Sequence, residues 1–160
     1  MDNATKNTAG QPSLQLTIGP PNTTVYSDGV FNVEVELKNN TADSVLINKR
    51  LSIGYEASIS REIYFKILDP TTQEPVGHPT EDYDRPPARY GEYGILPPGE
   101  SVFKVFTVSH WYEIDLPKGR HELTLLGFYQ ADEPYFDKRP KDVINGVFQS
   151  KPVTFYWVKQ

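Results

Sequence analysis

Carboxylates fall in two clusters, Glu81, Asp82 and Asp84 in one stretch and Asp132, Glu133 and Asp137 in another. Calcium takes roughly six to eight oxygen ligands, which paired loops at one end of a β-fold can supply. Asp82, Asp84, Asp132 and Asp137 are therefore the metal candidates. In a chain of net charge −5 the preferred reading is plainer: both stretches are solvated acidic loops. Paired carboxylates also serve glycoside hydrolysis, but that chemistry needs two groups matched across a cleft, and no spacing here indicates them.

The remaining reactive types are sparse. His78, His110 and His121 are too widely separated to form a local zinc-ligand pattern, so a zinc site would have to be assembled in space. His121 is read as a corner residue bonded to backbone. Cysteine is absent, which removes thiolate nucleophiles, thiolate metal ligands and any disulfide framework. No Gly-x-Ser-x-Gly elbow and no phosphate-binding glycine loop occurs, and Gly99-Glu100-Ser101 reads as a turn opening a strand. The expectation is a protein that is not an enzyme and needs no cofactor.

Aromatic side chains outside the predicted strands are the more informative excess. Tyr83, Tyr90, Tyr93, Tyr135 and Phe136 lie among acidic and proline-rich residues, a composition suited to contact with a protein or a glycan, because tyrosine brings large area at small entropic loss. These five are the partner-binding candidates. The rival reading packs them inward as a satellite core beneath the long loops.

Their positioning depends on strands. At 160 residues and 18.2 kDa, with 14 prolines against 11 glycines, the chain suits one turn-rich domain over 13–160 behind a polar, disordered segment at 1–12. A pI near 5.2 argues against nucleic acid as partner. No apolar run approaches the ~20 residues that span a bilayer, so no membrane insertion is expected. Residues 1–13 lack the apolar core of a secretory signal, leaving a cytoplasmic protein or, slightly favoured, a secreted one whose signal was removed. Sequons at Asn3, Asn22 and Asn39 carry little weight.

The period-2 pattern is sharpest over Val30–Lys38, with Phe31, Val33, Val35 and Leu37 inward and Asn32, Glu34, Glu36 and Lys38 outward. Leu14, Leu16 and Ile18 mark a first edge strand. Val45-Leu46-Ile47 returns after a polar turn, as if in a hairpin. Ile63, Phe65 and Ile67 share one face of the next strand, which ends at a Pro70–Val76 hairpin. Leu96-Pro97-Pro98-Gly99-Glu100 is a corner, since proline presets φ and lacks the N–H a central strand needs. Beyond it, Ser101–Val108 is rich in β-branched and aromatic residues and reads as a strand covered on both faces. Leu123, Leu125 and Gly127 share a side of a later strand; Val153, Phe155 and Trp157 do so in the last. Seven to nine strands result, with two long loops.

The succession of an LxLxI strand, an FxVxVxL strand, an LDP turn, LPPGES, the Trp111-Tyr112 corner, Leu116-Pro117-x-Gly119-x-His121 and a closing GVFQSKPVTFYW segment resembles bacterial and fungal immunoglobulin-like modules. It is similar in pattern to the intracellular proteinase inhibitors of bacilli and to metalloendopeptidase propeptide domains. The resemblance implies an all-β, immunoglobulin-like antiparallel sandwich, with His121 where such corners carry a tyrosine. A non-catalytic binding or accessory module working through its loops or a sheet edge is the leading expectation. The alternatives are a proteinase inhibitor, with the 81–93 loop in the protease cleft, and a carbohydrate-binding module using loop tyrosines; a small hydrolase is a distant fourth.

Overall fold

The computed structural model describes residues 13–19, 23–58, 61–80, 90–130 and 142–160, Tyr90 in its backbone alone. Among them are twelve strand segments: β1 (Leu14–Gly19), β2 (Thr24–Tyr26), β3 (Asn32–Asn39), β4 (Val45–Asn48), β5 (Ile63–Leu68), β6 (Gly77–Pro79), β7 (Tyr93–Leu96), β8 (Ser101–Thr107), β9 (Tyr112–Ile114), β10 (Gly119–Gln130), β11 (Val147–Gln149) and β12 (Val153–Lys159). The only helical segments among the described residues are single 3₁₀ turns at Tyr90–Glu92 and Val108–His110, and no helix there is long and apolar enough to cross a membrane.

The alternating sequence of β3 organises the first sheet. Val33, Val35 and Leu37 are fully buried, and β3 lies between β1 and β8, antiparallel to both. Leu16 stands opposite Leu37 and Ile18 opposite Val35, so the apolar sides of β1 and β3 coincide. The second sheet runs β2–β12–β10, with β5 on the far edge of β10; β2 is parallel to β12 and the other pairs are antiparallel. Between the sheets Phe31 packs on Phe155, ring centroids 4.8 Å apart, and Phe65 meets Phe106 edge-on at 6.0 Å. Gly127 is there because β1 crosses so closely that a Cβ would sit 2.8 Å from Ile18 Cγ2.

The closing segment forms two strands. Leu125 pairs with Val153 but Phe128 pairs with Gln149, so Leu126 and Gly127 face three residues, Ser150, Lys151 and Pro152. This is a β-bulge. Pro152 has no N–H to give a regular ladder, and Gly127 is held through Ser150 instead: Ser150 N–H donates to Gly127 O and Ser150 Oγ accepts from Gly127 N–H, both at 2.9 Å. Such interruptions, with several three-residue segments, give the twelve where the pattern predicted seven to nine.

Two expectations need correction. β4 forms no hairpin with β3; it pairs with β7. The cause is Asn39, which ends β3 fully buried: its amide donates to Asp43 O at 2.8 Å and to Leu96 O at 2.9 Å, turning the chain away from β3. Nor is β8 covered on both faces: Phe103 is 71% and Val105 56% exposed, on the side of the sheet where Glu34 of β3 is exposed too, and among the described residues β8 is also the last strand of its sheet. Its apolar composition does not register an open flank.

Polar ties fix the segments outside the sheets. Tyr112 OH donates to Gly54 O at 2.9 Å and accepts from Phe65 N–H at 3.0 Å; Tyr129 OH donates to Asn48 O and accepts from Asn48 N–H, both at 3.1 Å. Burial raises the pKa of Tyr112 well above its ordinary value. Glu62, 1% exposed, accepts from Arg50 Nε at 2.7 Å, Arg50 Nη2 at 2.6 Å and Ser52 N–H at 3.0 Å. Burial disfavours the Arg50 charge, but the hydrogen bond and the carboxylate of Glu62 hold its pKa above the usual guanidinium value.

Candidate functional site

The edge of β8 follows from its pairing with β3. Val108 N–H bonds to Phe31 O at 2.7 Å and Asn39 N–H to Glu100 O at 3.0 Å, both in the register of the β3–β8 ladder. In an antiparallel pair these hydrogen-bonded positions recur every second residue. The peptide groups of residues 102, 104 and 106 therefore face β3, and those of Ser101, Phe103, Val105 and Thr107 face away. Among the described residues nothing bonds to the outward peptide groups of Phe103 and Val105. The same alternation directs their side chains to the outer side of the sheet.

On that outer face Val105 stands opposite Glu34, which is exposed, and Phe103 opposite Glu36, whose Oε1 accepts from Ser101 Oγ at 2.7 Å. A shallow groove of about 450 Å³ lies there, with Thr17 and Gly19 of β1 on its far side. Lys104 takes the opposite face: its Nζ donates to Arg50 O at 3.2 Å and Leu51 O at 3.1 Å and lies 5.2 Å from the centroid of the Phe106 ring. An inward-turned lysine on an edge strand is a known obstacle to indiscriminate strand pairing. The site thus offers unpaired backbone groups, two exposed apolar side chains and a carboxylate beside them.

A larger cleft, about 850 Å³, opens over the outer face of β5 and β10. Its aromatic floor is already engaged. Tyr64 and Phe128 stack at 4.7 Å, the Arg61 guanidinium lies 4.5 Å from the Tyr64 ring centroid, and Lys66 Nζ lies 5.2 Å from that of Phe128. Arg61 is itself buried, and its nitrogens donate to Tyr55 O, Glu56 O and Gln130 Oε1. Burial, with the Glu56 charge, raises the Tyr64 pKa despite Arg61. These groups complete one another, so the cleft is the weaker candidate.

Of the predicted contact residues, Tyr93 is not in a loop. It begins β7, opposite Asn48, and packs half-buried against the core, because Lys49 N–H bonds to Glu92 O and draws the chain into a ladder. Tyr90 enters the described residues in its backbone, within a 3₁₀ turn. Tyr83, Tyr135, Phe136 and the calcium candidates Asp82, Asp84, Asp132 and Asp137 lie outside the described residues. His78 is in β6, His110 ends a 3₁₀ turn and His121 is in β10; no group of three or more potential metal ligands forms among the described residues. His121 Nε2 lies 2.8 Å from Pro117 O, and since a carbonyl can only accept, this nitrogen carries a proton. Sequence reasoning missed Phe103 and Val105. Their signal was an apolar pair on the face of a strand whose neighbour, β3, shows Glu34 and Glu36 there.

No protein-family model matches the chain, and no curated protein is detectably similar to it.

Proposed function

We propose that the chain is a non-catalytic, immunoglobulin-like β-sandwich that binds a protein partner through the open edge of β8. Support for the fold comes from strand order. β1, β3 and β8 group as strands A, B and E of such a sandwich, and β5, β10 and β12 as C, F and G. In that scheme strand D lies against E, on the edge that is open here. The binding reading rests on one observation: Phe103 and Val105 are exposed side by side on a strand whose outward peptide groups are unpaired among the described residues. Clustered apolar exposure of this kind marks interaction sites.

The test is affinity capture with the full chain, its Phe103→Asp variant and a Glu113→Gln control on β9. A specific protein retained by the parent and the control and lost with Phe103→Asp, while melting is unchanged, supports the proposal. Capture independent of Phe103, or retention of glycans in place of proteins, refutes it.

A further inference from the structure

We infer that the occupant of the β8 edge is an extended, basic segment of the partner, added as an antiparallel strand with an arginine or lysine directed at Glu34. This rests on the proposed binding edge and adds the chemistry of what fills it. The backbone half of the recognition is set by the outward N–H and C=O groups of Phe103 and Val105, to which an added strand supplies the missing ladder. That half is blind to sequence. Selectivity comes from the outer face.

There an incoming side chain next to Val105 has a short neighbour to cross before it meets Glu34, the residue directly opposite Val105 on β3. Strands lie ~4.8 Å apart, so the span of two strands is within the combined reach of an arginine and a glutamate side chain. Phe103 is longer and screens Glu36, whose carboxylate already holds Ser101. Among the described residues the groove therefore presents one carboxylate without a hydrogen-bond or ion-pair partner, that of Glu34, behind a low apolar sill, a fit for a cation on a flexible aliphatic stem. A second copy of this chain does not match it. Copies paired through β8 would bring Phe103 and Val105 beside Glu34, with no cation on that face of the strand, and would set the Lys104 of one copy near that of the other.

The experiment uses the isotope-labelled full chain and three blocked synthetic peptides: one alternating valine with arginine and threonine, a twin with glutamate for arginine, and a third N-methylated at alternate amides. Amide NMR titration and hydrogen exchange are the readouts. The arginine peptide binds about tenfold more tightly than its glutamate twin, slows exchange at Phe103 and Val105, and loses most of that advantage against Glu34→Gln. The N-methylated peptide fails, because it cannot complete the ladder. Equal binding of the twins, or no binding, overturns the inference. So does protection of Phe103 and Val105 in the free chain at low concentration, which would assign the edge to a segment of the chain itself, or protection that grows on concentrating the protein alone, which would assign it to a second copy. Where the peptides fail yet Phe103→Asp still abolishes partner capture, the basic occupant falls and the binding edge stands.

Discussion

Removing Glu62 isolates a charge that the fold has enclosed. In the native chain the carboxylate, 1% exposed, takes three hydrogen bonds, two from Arg50 and one from the Ser52 amide, while the Arg50 side chain is itself only 14% exposed. Glu62→Ala leaves the guanidinium with no counter-charge at that contact and the Ser52 amide with no acceptor. Breaking a buried pair on one side costs about 3–5 kcal/mol, which for a chain of this size lowers Tm by roughly 6–20 °C. Replacing both partners with apolar residues removes the desolvation cost as well as the attraction, so the double variant Arg50→Met, Glu62→Leu regains most of the loss. Urea unfolding of the parent, both single variants and the double variant closes the thermodynamic cycle, with constant m-values as the check that the end states are unchanged. A loss below ~1 kcal/mol for Glu62→Ala, or a double variant as unstable as the sum of the singles, would refute the reasoning. The first outcome would mean water reaches Arg50 freely; the second, that the residues act independently.

Further measurements probe other contacts. Gly127→Ala places a methyl against Ile18 and loses about 1–3 kcal/mol in urea unfolding, a loss that disappears in an Ile18→Ala background. Tyr112→Phe leaves Gly54 C=O and Phe65 N–H unpartnered in the interior and loses about 1–3 kcal/mol. Because burial raises the Tyr112 pKa above 10.0, its ordinary value, the hydroxyl's contribution is fully present below pH 10.0 and is lost as pH climbs toward the folded value; the variant's alkaline unfolding curve is correspondingly flatter. Asp69 shows the opposite sign. Its carboxylate accepts from the amides of Thr72 and Thr71, which lower its pKa, so its contribution is present above 3.8 and fades as the pH falls through the depressed folded value. Asp69→Asn accordingly has a shallower fall in Tm on acidification than the parent.

What the sequence disclosed was governed by periodicity. The inward sets on β1, β3, β10 and β12 were legible because side chains alternate strictly between water and core, as in Leu14-x-Leu16-x-Ile18. Pairing partners were less so. Whether β4 folds back on β3 or joins β7 depends on the amide of Asn39 reaching Leu96 O, a contact 57 residues distant. The open flank of β8 was hidden for a related reason. Val102, Phe103 and Val105 read alike as apolar letters, yet alternation turns Val102 inward and the other two to the outer side of the sheet, and the unpaired flank depends on which strands join β8, only β3 among the described residues. The tyrosines picked out by composition were chosen from stretches without period, where sequence supplies no pairing information, and Tyr93 joined a strand through the Lys49 amide.

The hydroxyls of Tyr112 and Tyr129 fasten irregular segments to the interior of a chain that contains no cysteine. A cross-link made of hydroxyl and amide is indifferent to thiol reagents and forms as quickly as the surrounding strands dock, with no oxidant or isomerase required. Melting curves recorded with and without dithiothreitol will coincide, and the folded chain can be carried through reducing and oxidising solutions, or joined in tandem, without risk of scrambled bridges.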